Sequence, residues 1–331
     1  VNADTAKMKN YETGIVGGVA KNWHVRNNVV ENSFEGISCW CVDWAKHFQV
    51  YGNLFRRIVD NAVETENHAS DMRIFNNYFE DIFEPLSWQP LGGKPWPGPI
   101  YIYRNIVTCT PTFQKLANGL NPEKFRPGVF KIGVSGSNWK HKEMGGLDVD
   151  QIAALVSKRF VMAPDPGFLV FNNTLIWPYG NLFTTPQPVL GRAIRDFVNF
   201  RYFNNIFAVD RMHKLAKWRG SLFEFYANLE VGNDAKNPHL GIIAGDGGLR
   251  ADSLKHAGVN EKFQLAGNSI ARGKGILAFE EPDASVDLGA VPAGSEFRIV
   301  AGPGTAVDLA KLSLFARKVF YHPTLIRTAG P

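Results

Sequence analysis

One four-residue pattern recurs along the chain and limits what it can fold into. It is an apolar residue, two further residues and an Asn, usually with Asn or Gly just before that last Asn. It occurs as VRNN (Val25–Asn28), VYGN (Val50–Asn53), IFNN (Ile74–Asn77), IYRN (Ile102–Asn105), VFNN (Val170–Asn173) and YFNN (Tyr202–Asn205). The closing Asn falls at 28, 53, 77, 105, 173 and 205, at intervals of 25, 24, 28, 68 and 32 residues. A period near 24 is too short for a strand–helix–strand unit, which takes about 30 residues or more. It matches one coil of three short strands. Asn suits the sharp corner of such a coil because it tolerates the left-handed conformation and bonds nearby backbone. Stacked coils place one Asn about 4.8 Å above the next, close enough for the amides to bond along the stack.

The second run of each repeat aligns into columns. Ile37, Val63 and Leu86 point inward, followed by Ser38, Glu64 and Ser87 pointing outward. Cys39, Thr65 and Trp88 point in again, and Trp40, Glu66 and Gln89 point out. The run GVFKIG (Gly128–Gly133) extends the stack, with Phe130 in and Lys131 out. The expected fold is all-β: a single domain over residues 1–331, with coils over 20–290 and insertions at about 110–127 and 134–166. Within the second insertion, Asp148–Phe160 has the capping and spacing of a short helix, and Pro186–Phe197 is a candidate for another. From Phe207 the rhythm weakens, with Glu224–Val231 as a strand and turn, and residues 291–331 are expected to be a C-terminal cap or tail over the last coil.

Composition narrows the class. Hydrophobic content of 45% with 20% charged residues is that of a globular chain. The net charge of +5 suits an anionic polymer better than nucleic acid, since no Lys/Arg block is present. Three cysteines are too few for a disulfide scaffold, and three buried thiols are expected, with a bridge to Cys109 as the alternative. No apolar run long enough to span a membrane occurs. The chain starts at Val1 without a signal peptide, which reads as a mature or trimmed product.

With its six Asn motifs, the runs DNAVETENHASDMRIFNNYFED and GPIYIYRNIV, and the closing phrases FQLAGNSIARGKG (Phe263–Gly275) and DLGA (Asp287–Ala290), the chain resembles the right-handed parallel β-helix repeat proteins, in particular secreted polysaccharide-active enzymes. The resemblance implies a right-handed parallel β-helix, or solenoid, with short helical insertions, and a secreted or periplasmic location. It reaches across lyases, hydrolases, adhesins and tailspikes, so activity must be argued from the site. Neither the full calcium-binding Asp set of pectate lyases nor the Asp pattern of polygalacturonases is present.

Within that frame Glu64 and Glu66 are the leading candidates for chemistry. Two residues apart on one strand, their Cα atoms are roughly 6.5–7 Å apart, compatible with an acid and a base straddling a glycosidic bond and leaning towards inversion. Two ordinary solvated strand residues would look the same in sequence. Trp40, one coil earlier, offers a ring for sugar stacking, and Gln89, one coil later, offers hydrogen bonds; Trp96 is a second stacking candidate. Asp60, His68 and Asp71 share the coil of the two acids. Lys131 either neutralises an acidic sugar or serves as the base of a β-elimination. A calcium ion on Glu64, Glu66 and Asp71 is chemically compatible but not demanded. The expected function is hydrolysis of an extracellular, anionic polysaccharide, with a polysaccharide lyase and a non-catalytic binding β-helix as alternatives, and with monomer and homotrimer both open.

Overall fold

The computed structural model describes residues 16–17, 21–38, 46–65, 69–88, 98–119, 128–132, 168–177, 181–184, 200–209, 223–232, 245, 247–275, 289, 299–301 and 305–307. They form an all-β fold dominated by two parallel sheets. The second sheet has seven strands, ordered Phe223–Tyr226, Phe200–Phe203, Phe168–Phe171, Ile100–Tyr103, Met72–Phe75, Gln49–Tyr51 and His24–Arg26. The first sheet takes the chain between those passes, through Val29–Glu31, Leu54–Glu64, Tyr78–Trp88, Ile106–Thr108, Thr174–Trp177, Ile206–Val209, Leu229–Val231 and Leu249–Ala251. The two 11-residue strands Leu54–Glu64 and Tyr78–Trp88 bend part-way, where the register shifts between Ile58 and Asn61 and Arg57 and Asp81 adopt positive φ. Ile37–Ser38 and Gly128–Ile132 pair with the half of these strands beyond the bend.

The corner between the two sheets explains the repeated Asn. The residue before each Asn sits in the left-handed region, from Asn27 (φ 58°) through Gly52, Asn76, Arg104, Asn172 and Asn204 to Ala227 (φ 48°). The Asn itself turns inward. At Asn77, Nδ2 donates to Val50 O at 2.8 Å and to Asn105 Oδ1 at 3.1 Å, while Oδ1 accepts from the Asn53 backbone N and from Asn53 Nδ2, each at 3.0 Å. The same amide-to-amide bond links Asn28 to Asn53, Asn105 to Asn173 and Asn173 to Asn205. Asn205 continues it to Asn228, a seventh member that the apolar-x-x-Asn count missed. The rhythm therefore does not weaken after Phe207.

Apolar columns fill the space between the sheets. Val50, Ile74, Ile102, Val170 and Tyr202 are stacked in register and buried, as are Phe55, Phe79, Val107, Leu175 and Phe207. One inward column expected from sequence is observed: Ile37 pairs with Val63, Val63 with Leu86, and Leu86 with Phe130. The columns through Cys39, Trp40, Glu66 and Gln89 involve residues outside the described ones.

Three expectations change. The insertion after Thr108 contains the helix Pro111–Gly119, whose first turn is tied to the sheet through Thr110; its backbone N and Oγ1 both donate to the Asp81 carboxylate, at 2.6 and 2.9 Å. Cover over the outer face comes from residues 252–275, where Ala257, Val259, Leu265 and Ala271 pack on Ile206, Leu229 and Val231, and Phe263 lies beside Tyr78. Residues 299–301 and 305–307 make a small antiparallel pair; the remainder of the expected C-terminal cap lies outside the described residues, as do Asp148–Phe160 and Pro186–Phe197. Cys109 is a free thiol and only half-buried, contrary to three buried thiols; Cys39 and Cys41 lie outside the described residues.

Asn77→Ala removes four buried hydrogen bonds, among them the side-chain bonds to Val50 O and from the Asn53 backbone N. We expect it to lower stability by about 3 kcal/mol or more, read as a drop in the urea midpoint. A loss no larger than that of an exposed substitution such as Lys115→Ala would show that the amide stack does not bear on stability.

Candidate active site

The bend in the long strands positions the chemistry. Beyond it, Ser38, Glu64, Ser87 and Lys131 occupy neighbouring strands, with Glu64 opposite Ser87 and Ser87 opposite Lys131. One corner earlier, the backbone at Gly36 passes so close to the next strand that a Cβ there would meet Ala62 O at 2.4 Å. Gly36 N donates to Asn61 O at 2.9 Å. This contact, open only to glycine, sets Glu35 against the acids of the following pass.

Glu35 is the group that sequence reasoning missed. It is 2% exposed, and its Oε2 is buried without a hydrogen-bond partner. Burial, then the charges of Glu64 and Asp60, push its carboxyl up to about 9, against the smaller opposing influence of Ser38 and Lys131. Glu35 is therefore a neutral acid at pH 7. Ser38 lies between the two acids: its hydroxyl donates to Glu64 Oε2 and is also within hydrogen-bond reach of Glu35. A signal was present in the sequence. Two residues upstream of Ile37, Val63 and Leu86 stand Glu35, Asn61 and Glu84, and Asn61 does pair with Glu84.

The sequence-predicted residues fall as follows. Glu64 lies on the outward column yet is only 4% exposed, so it is no solvated strand residue. Lys131 reaches back over the bend to Asp60 Oδ1 and Asn61 Oδ1, both at 3.2 Å, and to Glu84 Oε2 at 3.5 Å. Asp60, Glu84 and Lys131 are partly exposed, with 25%, 21% and 16% of their side chains accessible. They form the accessible rim of a cluster whose buried members are Glu35 and Glu64. Asp71 is not brought here; it holds His47 and Arg73 on the second sheet's corner. Glu66, Trp40, Gln89, His68 and Trp96 lie outside the described residues. Among the described residues no group of three or more His, Cys, Asp or Glu is arranged to hold a metal ion.

A second acid cluster lies before the bend. Glu31, Arg56 and Glu80 stack in register, and Arg56 and Arg57 both hold the Glu31 carboxylate. Burial pushes Glu31 up, but the two guanidiniums outweigh it and hold it below its usual value. Glu80 is raised to about 7 by burial and by the neighbouring Asp81.

No protein-family model matches the chain, and no curated protein matches its sequence. No helix among the described residues is long and apolar enough to cross a membrane.

The raised acids fix the sign of the pH dependence. A buried carboxyl whose pKa is higher folded than unfolded binds its proton more tightly in the native state. Its contribution is complete below about 4.5 and is lost as pH rises, through about 7 for Glu80 and about 9 for Glu35. Stability should fall between pH 5 and pH 9, and Glu35→Gln should flatten the decline above pH 7. Urea midpoints at pH 5, 7 and 9 test this; a rise across that window would refute the protonated state of Glu35.

Proposed function

We propose that the two parallel sheets are walls of a right-handed parallel β-helix, and that this β-helix hydrolyses glycosidic bonds of an extracellular or periplasmic polysaccharide. The single observation that carries the proposal is a neutral buried carboxyl, Glu35, with one oxygen free of partners and a one-residue bridge through Ser38 to a second carboxyl, Glu64. Alternation between two sheets every two dozen residues supports the β-helix reading.

The arrangement suits acid-assisted cleavage. Glu35 donates its proton to the departing glycosidic oxygen as the bond to the anomeric carbon breaks. Glu64 is the nucleophile. Two hydrogen bonds sharing one hydroxyl hold the bonded oxygens within about 5.5 Å of each other. That bound is compatible with a double displacement, and it is shorter than the gap of about 6.5 Å or more that leaves room for water in an inverting site. Glu64 forms an ester to the anomeric carbon; water then displaces it, giving its proton back to Glu35 and its hydroxyl to the sugar. Lys131 has a supporting part. Bound to Asp60, Asn61 and Glu84, it is an ion-paired ammonium, which suits a positioning part better than that of a base.

The deep burial of both acids favours one other reading, a binding β-helix in which they are a structural plug. The two separate in one assay of reducing ends over a panel of polysaccharides. Hydrolysis predicts that Glu64→Gln and Glu35→Gln each lower kcat by about 10²–10⁴-fold, with folded circular dichroism spectra. It also predicts activity that falls above pH 9 as Glu35 ionises, a limb absent in Glu35→Gln. If neither substitution changes any property, the site is not catalytic; an unsaturated product absorbing in the near ultraviolet would instead restore the lyase.

A further inference from the structure

The outer face of the second sheet has a different chemistry from the acid cluster. Over its first four passes it presents Arg26, Arg73 and Arg104, with Lys21 and Lys46 at the leading corner. Over these four passes its only carboxylate among the described residues is Asp71. This patch alone has an excess of four positive charges, where the whole chain has five. Arg26, Arg104 and Lys21 are exposed, and so is Arg73, which lies 3.6 Å from Asp71 and 5.9 Å from the centre of the Tyr101 ring. No described carboxylate is within ion-pair distance of Arg26 or Arg104.

Between these cations runs a ladder of rings. Tyr51 stacks on Phe75 at 4.8 Å, Phe75 on Tyr103 at 4.9 Å, and Tyr103 on Phe171 at 5.0 Å, all within 9° of parallel. The ring faces are spent on one another along the stack, and the edges look outward. A sugar or a nucleobase stacks on a ring face, so this ladder offers neither a platform. A ring edge is the positive side of the aromatic quadrupole and adds to the attraction for anions.

We propose that this face is a non-catalytic docking ridge for a polyanionic polysaccharide lying along the stack. Passes are about 4.8 Å apart and residues along a strand about 3.3 Å. In register Arg73 stands two passes and two residues from Arg26, and Arg104 one pass and three residues from Arg73, so the three are spread over the face at steps of roughly 11–12 Å. Guanidiniums set at that spacing on and beside the ring ladder suit carboxylates or sulfates repeated along a stiff chain, each able to form paired hydrogen bonds. Single-stranded nucleic acid would bring the phosphates but would find no ring face for its bases. The ridge goes beyond the proposed hydrolysis and does not depend on it.

The test is affinity electrophoresis through gels containing polygalacturonate, dextran or single-stranded DNA, with calorimetry on soluble polygalacturonate. Polygalacturonate should retard the protein, dextran should not, and added salt should weaken the binding. The combined variant Arg26→Gln, Arg73→Gln, Arg104→Asn keeps a residue tolerant of positive φ at 104 and should bind polygalacturonate about tenfold more weakly. Arg26→Gln alone, on the terminal strand of the sheet, should weaken it in the same direction if the combined variant fails to fold. Glu35→Gln should bind as the unaltered protein does, so loss of hydrolysis and loss of docking are separable. Equal retardation by dextran, unchanged binding in the arginine variants, or tighter binding to single-stranded DNA than to polygalacturonate would each overturn the ridge.

Discussion

Buried amides bonded to one another along the stack are what the remaining structure depends on. Each Asn serves two directions at once, donating to the pass before it and to the Asn after it. An amide in that position has no water to fall back on, so any shift of one pass against the next strands donors and acceptors in the interior. The ladder thereby pins the register. Pinning matters because a slip of one residue would send every inward side chain of a strand to the outer face. The apolar columns supply most of the burial, but many registers would bury Val, Ile and Phe about equally well; the amides choose among them.

Register is also why much of this fold could be read from the chain alone. Once Asn53, Asn77 and Asn105 are taken as vertical neighbours, simple alternation predicts that Val63 sits over Leu86 and Glu64 over Ser87, and both pairs are present. The reading failed where alternation stops being the controlling rule. Asn228 was passed over although Phe225–Asn228 fits the apolar-x-x-Asn pattern; Ala227 occupies the left-handed corner there, where most of the other repeats carry Asn or Gly. Glu35 was passed over because it lies at a bend. Its position is set by a glycine-only contact between Gly36 and Ala62, a fact about backbone distance that no periodicity carries. For Glu64 the column gave the side of the sheet correctly but not its burial, since alternation says which way a side chain points and nothing about what covers it.

The burial of those acids changes what they can do. A carboxylate on an open strand is ordinary; one at 2% exposure must be paired, hydrogen-bonded or protonated. The cluster uses all three. Lys131 holds Asp60 and Glu84 at the rim, Ser38 donates to Glu64, and Glu35, left without a cation of its own, keeps its proton. Glu31, Arg56, Arg57, Glu80 and Asp81 repeat the logic before the bend with a different outcome. Two guanidiniums face Glu31 there, and a helix start takes up Asp81. Both clusters arise where consecutive passes put acids one above another, which is the cost of a repeat that aligns like with like.

The same vertical alignment acts oppositely on the second sheet. There the stacked positions are aromatic or cationic, and their spacing separates function by face. Guanidiniums roughly 10 Å or more apart repel weakly across solvent, where screening is strong, so exposed cations can accumulate on one face without a structural penalty that burial would impose. Acids gathered on the covered side of the bend must instead be neutralised or shared. A fold that repeats every two dozen residues therefore sorts its charges by exposure. Like charges persist as charges where water reaches them, and become proton donors or fixed pairs where it does not.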